Sequence, residues 1–112
     1  MTISLDALAV LDAIDRRGSF AAAALELDRV PSAITYTIRT LEDTLDVLLF
    51  DRRSRQARFT PAGMELLVEG RRLLAEGRAV ANRVRRVAAG WETQLSVAVD
   101  DVISRLTLFE LC

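Results

Sequence analysis

The chain has 112 residues, 51 % of them apolar, which is enough for one modest buried core with an appendage and too little for two full domains. It has no histidine and a single cysteine, Cys112, which excludes an internal disulfide, the usual zinc constellations and the Ser/His or Cys/His nucleophile pairs. The net charge of −1 hides an uneven layout: residues 1–28 carry two Arg and five acids, residues 29–86 twelve Arg and seven acids, and residues 87–112 one Arg and four acids, a cationic middle that suits a nucleic-acid surface.

Leu5, Leu8, Leu11 and Ile14 recur at steps of three, with Ser4 as N-cap and Gly18 as stop, and predict a first helix with a solvated acidic face. Ser19 caps a second, short helix over residues 20–27, whose alanine run at 21–24 lets neighbouring helices approach closely. Asp28 and Arg29 break the pattern. Pro31, whose missing amide is not needed at a first helical position, then opens a third helix that runs to Leu45. Along it Ile34, Ile38, Leu41 and Leu45 follow the rhythm of a buried stripe, while Ser32, Thr35, Tyr36 and Arg39 fall on the opposite face. That outward face is the functional centre of the sequence.

A short apolar piece at 47–50 leads into Asp51, Arg52, Arg53, Ser54, Arg55, Gln56, Ala57, Arg58 and Phe59, which predict two short strands around a basic tip, a wing. Thr60 caps and Pro61 opens a long helix expected to end at Gly90. Its positions Leu66, Gly70, Leu73, Gly77, Val80, Val84 and Val87 alternate steps of four and three, the seam of a helix pair. After Trp91, Leu95, Val97 and Val99 alternate with Ser96, Ala98 and Asp100 in strand fashion, and the apolar stretch 102–111 is too short to complete a second core. The expected divisions are therefore a reading domain at 1–60, a linker and dimerisation helix at 61–90, and the cut-short start of a further domain at 91–112.

No apolar run approaches the roughly 20 residues of a membrane span, and no basic stretch precedes an apolar run at the amino terminus. A cytoplasmic protein without a membrane partner is expected. All fifteen basic residues are Arg, whose planar fork pairs with phosphate and guanine, a choice that genomic base composition explains equally well.

The text GSFAAAALELDRVPSAITYTIRTLEDTLDVLLFDR at 18–52, followed by TPAG at 60–63, closely resembles the LysR-type regulators. The Gly-Ser-Phe of the second helix, Ala33, the Leu41-Glu42 pair, the Leu49-Phe50-Asp51-Arg52 box and the Thr-Pro-Ala-Gly opening keep the family's spacing without gaps, and the likeness extends as far as Gly90. It implies a mainly α fold: a winged helix-turn-helix of three helices and a two-stranded wing, followed by a long linker helix. It further implies a bacterial transcriptional regulator at the nucleoid that binds double-stranded operator DNA sequence-specifically. The third helix would enter the major groove and the wing lie near the minor groove, while the linker helix pairs antiparallel in a homodimer. Residues 94–100 then look like the first strand of an effector-sensing domain, so that a small-molecule effector belongs only to a full-length parent. No catalytic residue, cofactor or metal is implied.

Three departures from the family pattern stand out. Val30-Pro31 stands where many members have Ser-Gln, removing one cap and one base-reading amide; Tyr36 stands where Arg is frequent; and Asp46 stands where the helix usually ends in Gly, so it has to accept a left-handed backbone. The first two imply an altered operator preference.

Within this resemblance Pro31, Ser32, Thr35 and Tyr36 face base edges, their hydroxyls donating or accepting and their methyl groups touching thymine. Arg39 reaches either guanine or phosphate. Arg52, Arg53, Arg55 and Arg58 make a dense basic loop that neutralises phosphates, Arg53 and Arg55 being best placed for a narrowed minor groove and Arg52 equally suited to anchoring the wing. Ser19 contacts phosphate through its helix amino terminus or is a plain N-cap. The dimer seam is Leu66, Leu73, Val80, Val84 and Val87. Blander readings stand beside these: the outward face is merely solvated, Tyr36 packs, the long stripe packs on its own domain, or the basic face serves a protein-interaction module with an acidic partner.

Overall fold

In a computed structural model that describes residues 2–53 and 56–101, with side chains as far as Trp91, the described chain is almost entirely helical. The helices are α1 (Leu5–Arg17), α2 (Phe20–Glu26), α3 (Pro31–Leu45) and α4 (Pro61–Asp101). The chain forms two compact units, Met1–Glu76 and Gly77–Cys112.

Helices begin here where a side chain takes over an orphan amide. Ser4 Oγ accepts the Ala7 N–H at 3.1 Å, Ser19 Oγ the Ala22 N–H at 3.0 Å and Thr60 Oγ1 the Gly63 N–H at 3.0 Å, as the sequence leads one to expect. At α3 the cap is Val30, which offers no side-chain acceptor; Pro31 behind it has no N–H to satisfy. Gly18 ends α1 at φ +85°. Asp46 ends α3 at φ +54°, the left-handed conformation that its position demands. α2 stops at Glu26, one residue short of the expected end.

The core of the first unit is built from Leu8, Leu11 and Ile14 of α1, Ala23 and Ala24 of α2, Ile34, Ile38 and Leu41 of α3, together with Leu49, Phe50 and Leu67. Each fully buried aliphatic of this size contributes roughly 1.5–3 kcal/mol of burial. Phe50 packs edge-on against Phe20 at 5.1 Å between ring centroids and lies 4.5 Å from Phe59. α4 is rooted in the same core. A Cβ at Gly63 would lie 2.1 Å from the Leu49 carbonyl oxygen, so α4 makes that approach only with glycine, and one at Gly70 would lie 2.9 Å from Leu8 Cδ2, which the Leu8 side chain would have to shift to accept.

The acidic face of α1 is not simply solvated. Asp12 accepts from Arg16 Nε at 2.8 Å and from Arg71 Nε at 2.6 Å, and Asp15 accepts from Arg71 at 2.7 Å, which ties α4 to α1. Asp6 takes both Nη atoms of Arg29, at 3.0 and 2.5 Å. Glu26 takes Arg16 at 2.8 and 2.5 Å and Arg17 at 2.8 Å. Arginines of α1, α4 and the α2–α3 turn are long enough to reach these carboxylates once the helices pack, which helical periodicity does not reveal.

One expectation is seen only in part and another meets a different structure. Of the expected two-stranded wing, the described residues show one antiparallel bridge, between Phe50 and Phe59, with the Asp51 N–H donating to the Arg58 carbonyl at 2.8 Å. The Asp51 side chain accepts the Arg53 N–H at 2.9 Å, and this local turn takes the chain out of the ladder after one register. Ser54 and Arg55 at the tip lie outside the described residues. Residues 94–100, read as a strand, instead continue α4, which runs past Gly90 to Asp101. A strand's N–H and C=O groups need a paired neighbour, whereas a helix closes its own bonds, and no partner strand exists among the described residues. The apolar stretch 102–111 and Cys112 lie outside the described residues.

Candidate nucleic-acid interface

α3 separates its two faces as its sequence requires. Ile34, Ile38 and Leu41 are buried, while Pro31, Ser32, Tyr36 and Arg39 are exposed, Tyr36 to 73 %. Thr35 is half-buried at the inner edge of that surface. Two other α3 hydroxyls are committed within the helix: Thr37 Oγ1 donates to the Ala33 carbonyl at 3.0 Å and Thr40 Oγ1 to the Tyr36 carbonyl at 2.9 Å. Of the other α3 hydroxyls, those of Ser32, Thr35 and Tyr36 lie on or beside the outward face, while Thr44 sits half-buried in the last turn.

An arginine can neutralise a phosphate most readily when no carboxylate already holds it. Arg52 is bound by Glu42, whose other carboxylate oxygen accepts the Leu49 N–H at 2.8 Å. Glu42 is only 6 % exposed, so Arg52 balances a buried charge and anchors the loop. Arg53 pairs with Asp51 at 3.1 and 3.2 Å, and these hydrogen bonds hold the Asp51 carboxyl below its ordinary range. Arg16, Arg17, Arg29, Arg71 and Arg72 also face carboxylates. Among the described residues of the first unit, Arg39 and Arg58 remain outside any salt bridge. Both are exposed. Arg39 borders an open hollow shared with Asp43, Asp46, Val47, Leu48 and Arg52. Arg55 lies outside the described residues.

The sequence therefore locates the basic loop but does not single out Arg58 within it, because charge is visible in a sequence and pairing is not. Ser19 is half-buried with its oxygen occupied as a cap, which leaves only its hydroxyl proton to offer a phosphate. Of the seam residues, Leu66 packs half-buried against the core of the first unit, while Leu73 is 51 % exposed. In the second unit Val80, Val84 and Val87 are exposed, an apolar row facing water. Among the described residues no cluster of acids, His or Cys could hold a metal, and no helix is long and apolar enough to cross a membrane.

Three packed helices, the third presenting a polar face beside a basic loop, define a helix-turn-helix protein. The chain belongs to the LysR family: the family model described as "Bacterial regulatory helix-turn-helix protein, lysR family" matches residues 5–64. The probable HTH-type transcriptional regulator YhaJ of Escherichia coli (strain K12) is 48 % identical over 109 residues, which is 97 % of this chain and 37 % of that relative. The chain thus spans about a third of the length of the curated relatives it matches, 37 % of YhaJ and 31 % of PunR. Among solved structures, the BenM DNA-binding domain in complex with catB site 1 DNA superposes with a TM-score of 0.76 at 27 % identity, over 79 % of this chain and 95 % of that one. The CbnR DNA-binding domain in its DNA complex gives a TM-score of 0.72 at 31 % identity, over 77 % and 99 %. The family is one of regulators, not enzymes.

Proposed function

We propose that this chain is the DNA-reading and dimerising part of a transcriptional regulator that binds operator DNA through α3 in the major groove. The observation that carries this reading is the exposed face of α3, with Ser32, Tyr36 and Arg39 outward and Thr35 at its edge, backed by buried Ile34, Ile38 and Leu41, with Leu45 half-buried at the end of the stripe. The likeness to DNA-binding domains solved on DNA supports it. Pro31, Ser32, Thr35 and Tyr36 meet base edges, while Arg39 and Arg58 neutralise phosphates without first breaking a salt bridge. The loop at 51–59 acts as a wing beside the minor groove, Arg55 at its tip; Arg53 exchanges Asp51 for phosphate on binding, and Ser19 adds a hydroxyl.

Exposed Leu73, Val80, Val84 and Val87, with Leu66 at the root, form the seam on which α4 pairs with that of a second copy. Two copies then address half-sites separated by one or more turns of ~34 Å. Residues 91–112 open an effector domain completed in a longer parent, where a small molecule acts, and the protein works at the nucleoid in the bacterial cytoplasm. Selection from a sequence-randomised duplex pool tests the reading. Enrichment of a palindrome is expected; retention of duplexes with no sequence preferred would overturn it in favour of a protein-interaction module, since any basic surface holds DNA non-specifically.

A further inference from the structure

The amino-terminal turn of α3 is poor in hydrogen-bonding groups. Pro31 has no N–H, and the Ala33 N–H donates to the Val30 carbonyl at 3.0 Å. Arg29, the adjacent cation, is turned to α1 with both Nη atoms on Asp6. Thr37 and Thr40 bind carbonyls of their own helix. What this turn exposes is mostly carbon: Val30 is 62 % exposed, Pro31 is exposed beside it, and Ser32 supplies the neighbouring hydroxyl. Val30 caps α3 through its carbonyl alone; its side chain makes no capping hydrogen bond and is largely exposed to water.

In the major groove, thymine is the base whose edge carries a methyl group, and an aliphatic side chain recognises it by excluding water from both surfaces. We infer that Val30, with Pro31, is a specificity-determining residue that reads a thymine 5-methyl at the edge of each half-site. Base choice there is made by apolar contact and not by a hydrogen bond. The inference rests on the proposed operator binding and adds to it the identity of one base and the residue that selects it. A protein partner docking on the same carbon surface is the competing occupant, and it would leave the preference for thymine independent of Val30.

The test starts from the duplex enriched by the selection above and replaces thymine by uracil, one position at a time; uracil pairs identically and lacks only the methyl group. The 112-residue chain is expected to lose about fourfold in affinity at one or two adjacent positions, the effect of one buried methyl-sized group. Val30→Ser, which restores a hydroxyl cap and removes the methyl groups, is expected to bind both duplexes alike at that position. Val30→Thr, which keeps one methyl in the same shape, retains part of the discrimination and serves as a second variant whose helix content by circular dichroism matches the parent. An enriched site with no uracil-sensitive position, or one whose sensitivity survives Val30→Ser, overturns the inference and leaves the regulator reading intact. A pool with no enriched site overturns both.

Discussion

The carboxylate of Glu42, on the buried side of α3, holds the guanidinium of Arg52 in the loop beyond that helix and takes the Leu49 amide with its second oxygen. One side chain thus fixes both the return of the chain after α3 and the start of the basic loop.

Removing that carboxylate is expected to be costly. Glu42→Leu leaves the Leu49 N–H buried without an acceptor and Arg52 without its partner, for about 2–4 kcal/mol, moderated because Arg52 is itself partly exposed and can be rehydrated. Glu42→Gln keeps an acceptor for the amide and is expected to cost about 1–2 kcal/mol. Urea midpoints order the three proteins; a Leu variant as stable as the parent would contradict this account.

Two glycines of α4 are expected to respond differently to the same added methyl. At Gly63 the new Cβ meets a backbone carbonyl, which cannot step aside, and Gly63→Ala is expected to lose about 2–3 kcal/mol. At Gly70 it meets the end of the flexible Leu8 side chain, so the loss is about 1 kcal/mol or less. With roughly 4–8 °C of melting temperature per kcal/mol in a domain of this size, thermal unfolding separates the two readily.

Salt titrations of DNA binding distinguish the arginines. Arg39→Ala and Arg58→Ala are each expected to lower the slope of log affinity against log salt by about 1, because each contributes a cation not held in a salt bridge. Arg71→Ala, which removes the clasp on Asp12 and Asp15, is expected to lower stability while leaving the slope unchanged. An unaltered slope for both Arg39 and Arg58 variants would displace them from the phosphate contacts.

Much of this architecture was readable before any coordinates. Ser4, Ser19, Pro31 and Thr60 mark helix starts by chemistry that acts within one turn, and Gly18 and Asp46 mark ends by the sign of φ. Glu42 was also within reach: it follows Ile38 by four residues on the buried stripe of α3, and a charge on such a stripe requires an opposite charge. The partner Arg52, like Arg71 for Asp12 and Arg29 for Asp6, is set by tertiary placement and leaves no local signature. Alternation at 95–99 misled because a strand pattern says nothing about whether a neighbouring strand is present to pair with. The single bridge at Phe50 and Phe59 arises from a side-chain turn at Asp51 that competes with the ladder.

Acid titration is expected to loosen the first unit from the α1–α2 side. Arg16 and then Arg17 hold the Glu26 carboxyl down at about 2, against 4.5 ordinarily. Because the folded value lies below the unfolded one, the contribution is complete above about pH 4.5 and is lost as the pH falls towards about 2. Asp6 moves the same way through Arg29, and at Asp12 the pull of Arg16 and Arg71 outweighs an opposing effect of burial. With no histidine in the chain, stability between about pH 6 and 8 is expected to be nearly flat. Glu26→Gln is expected to shrink the acid-side dependence, measured as the melting temperature against pH.

Dimerisation is expected to follow the exposed valines. Val80→Glu with Val84→Glu places charge on the apolar row of the second unit and yields monomers by light scattering while the helical signal persists; a surviving dimer would refute the seam. Leu66→Glu is expected to act differently, unfolding the first unit, because Leu66 packs against its core.

Gly63, Leu67, Gly70 and Arg71 build the opening turns of α4 into the wall of the reading head. Residues 61–76 therefore behave as a handle cast in one piece with α1 and the Leu49 segment, not as a tether joined to them at Thr60. Torque applied to that handle reaches the base of the head undiminished, since no slack joint intervenes to absorb it.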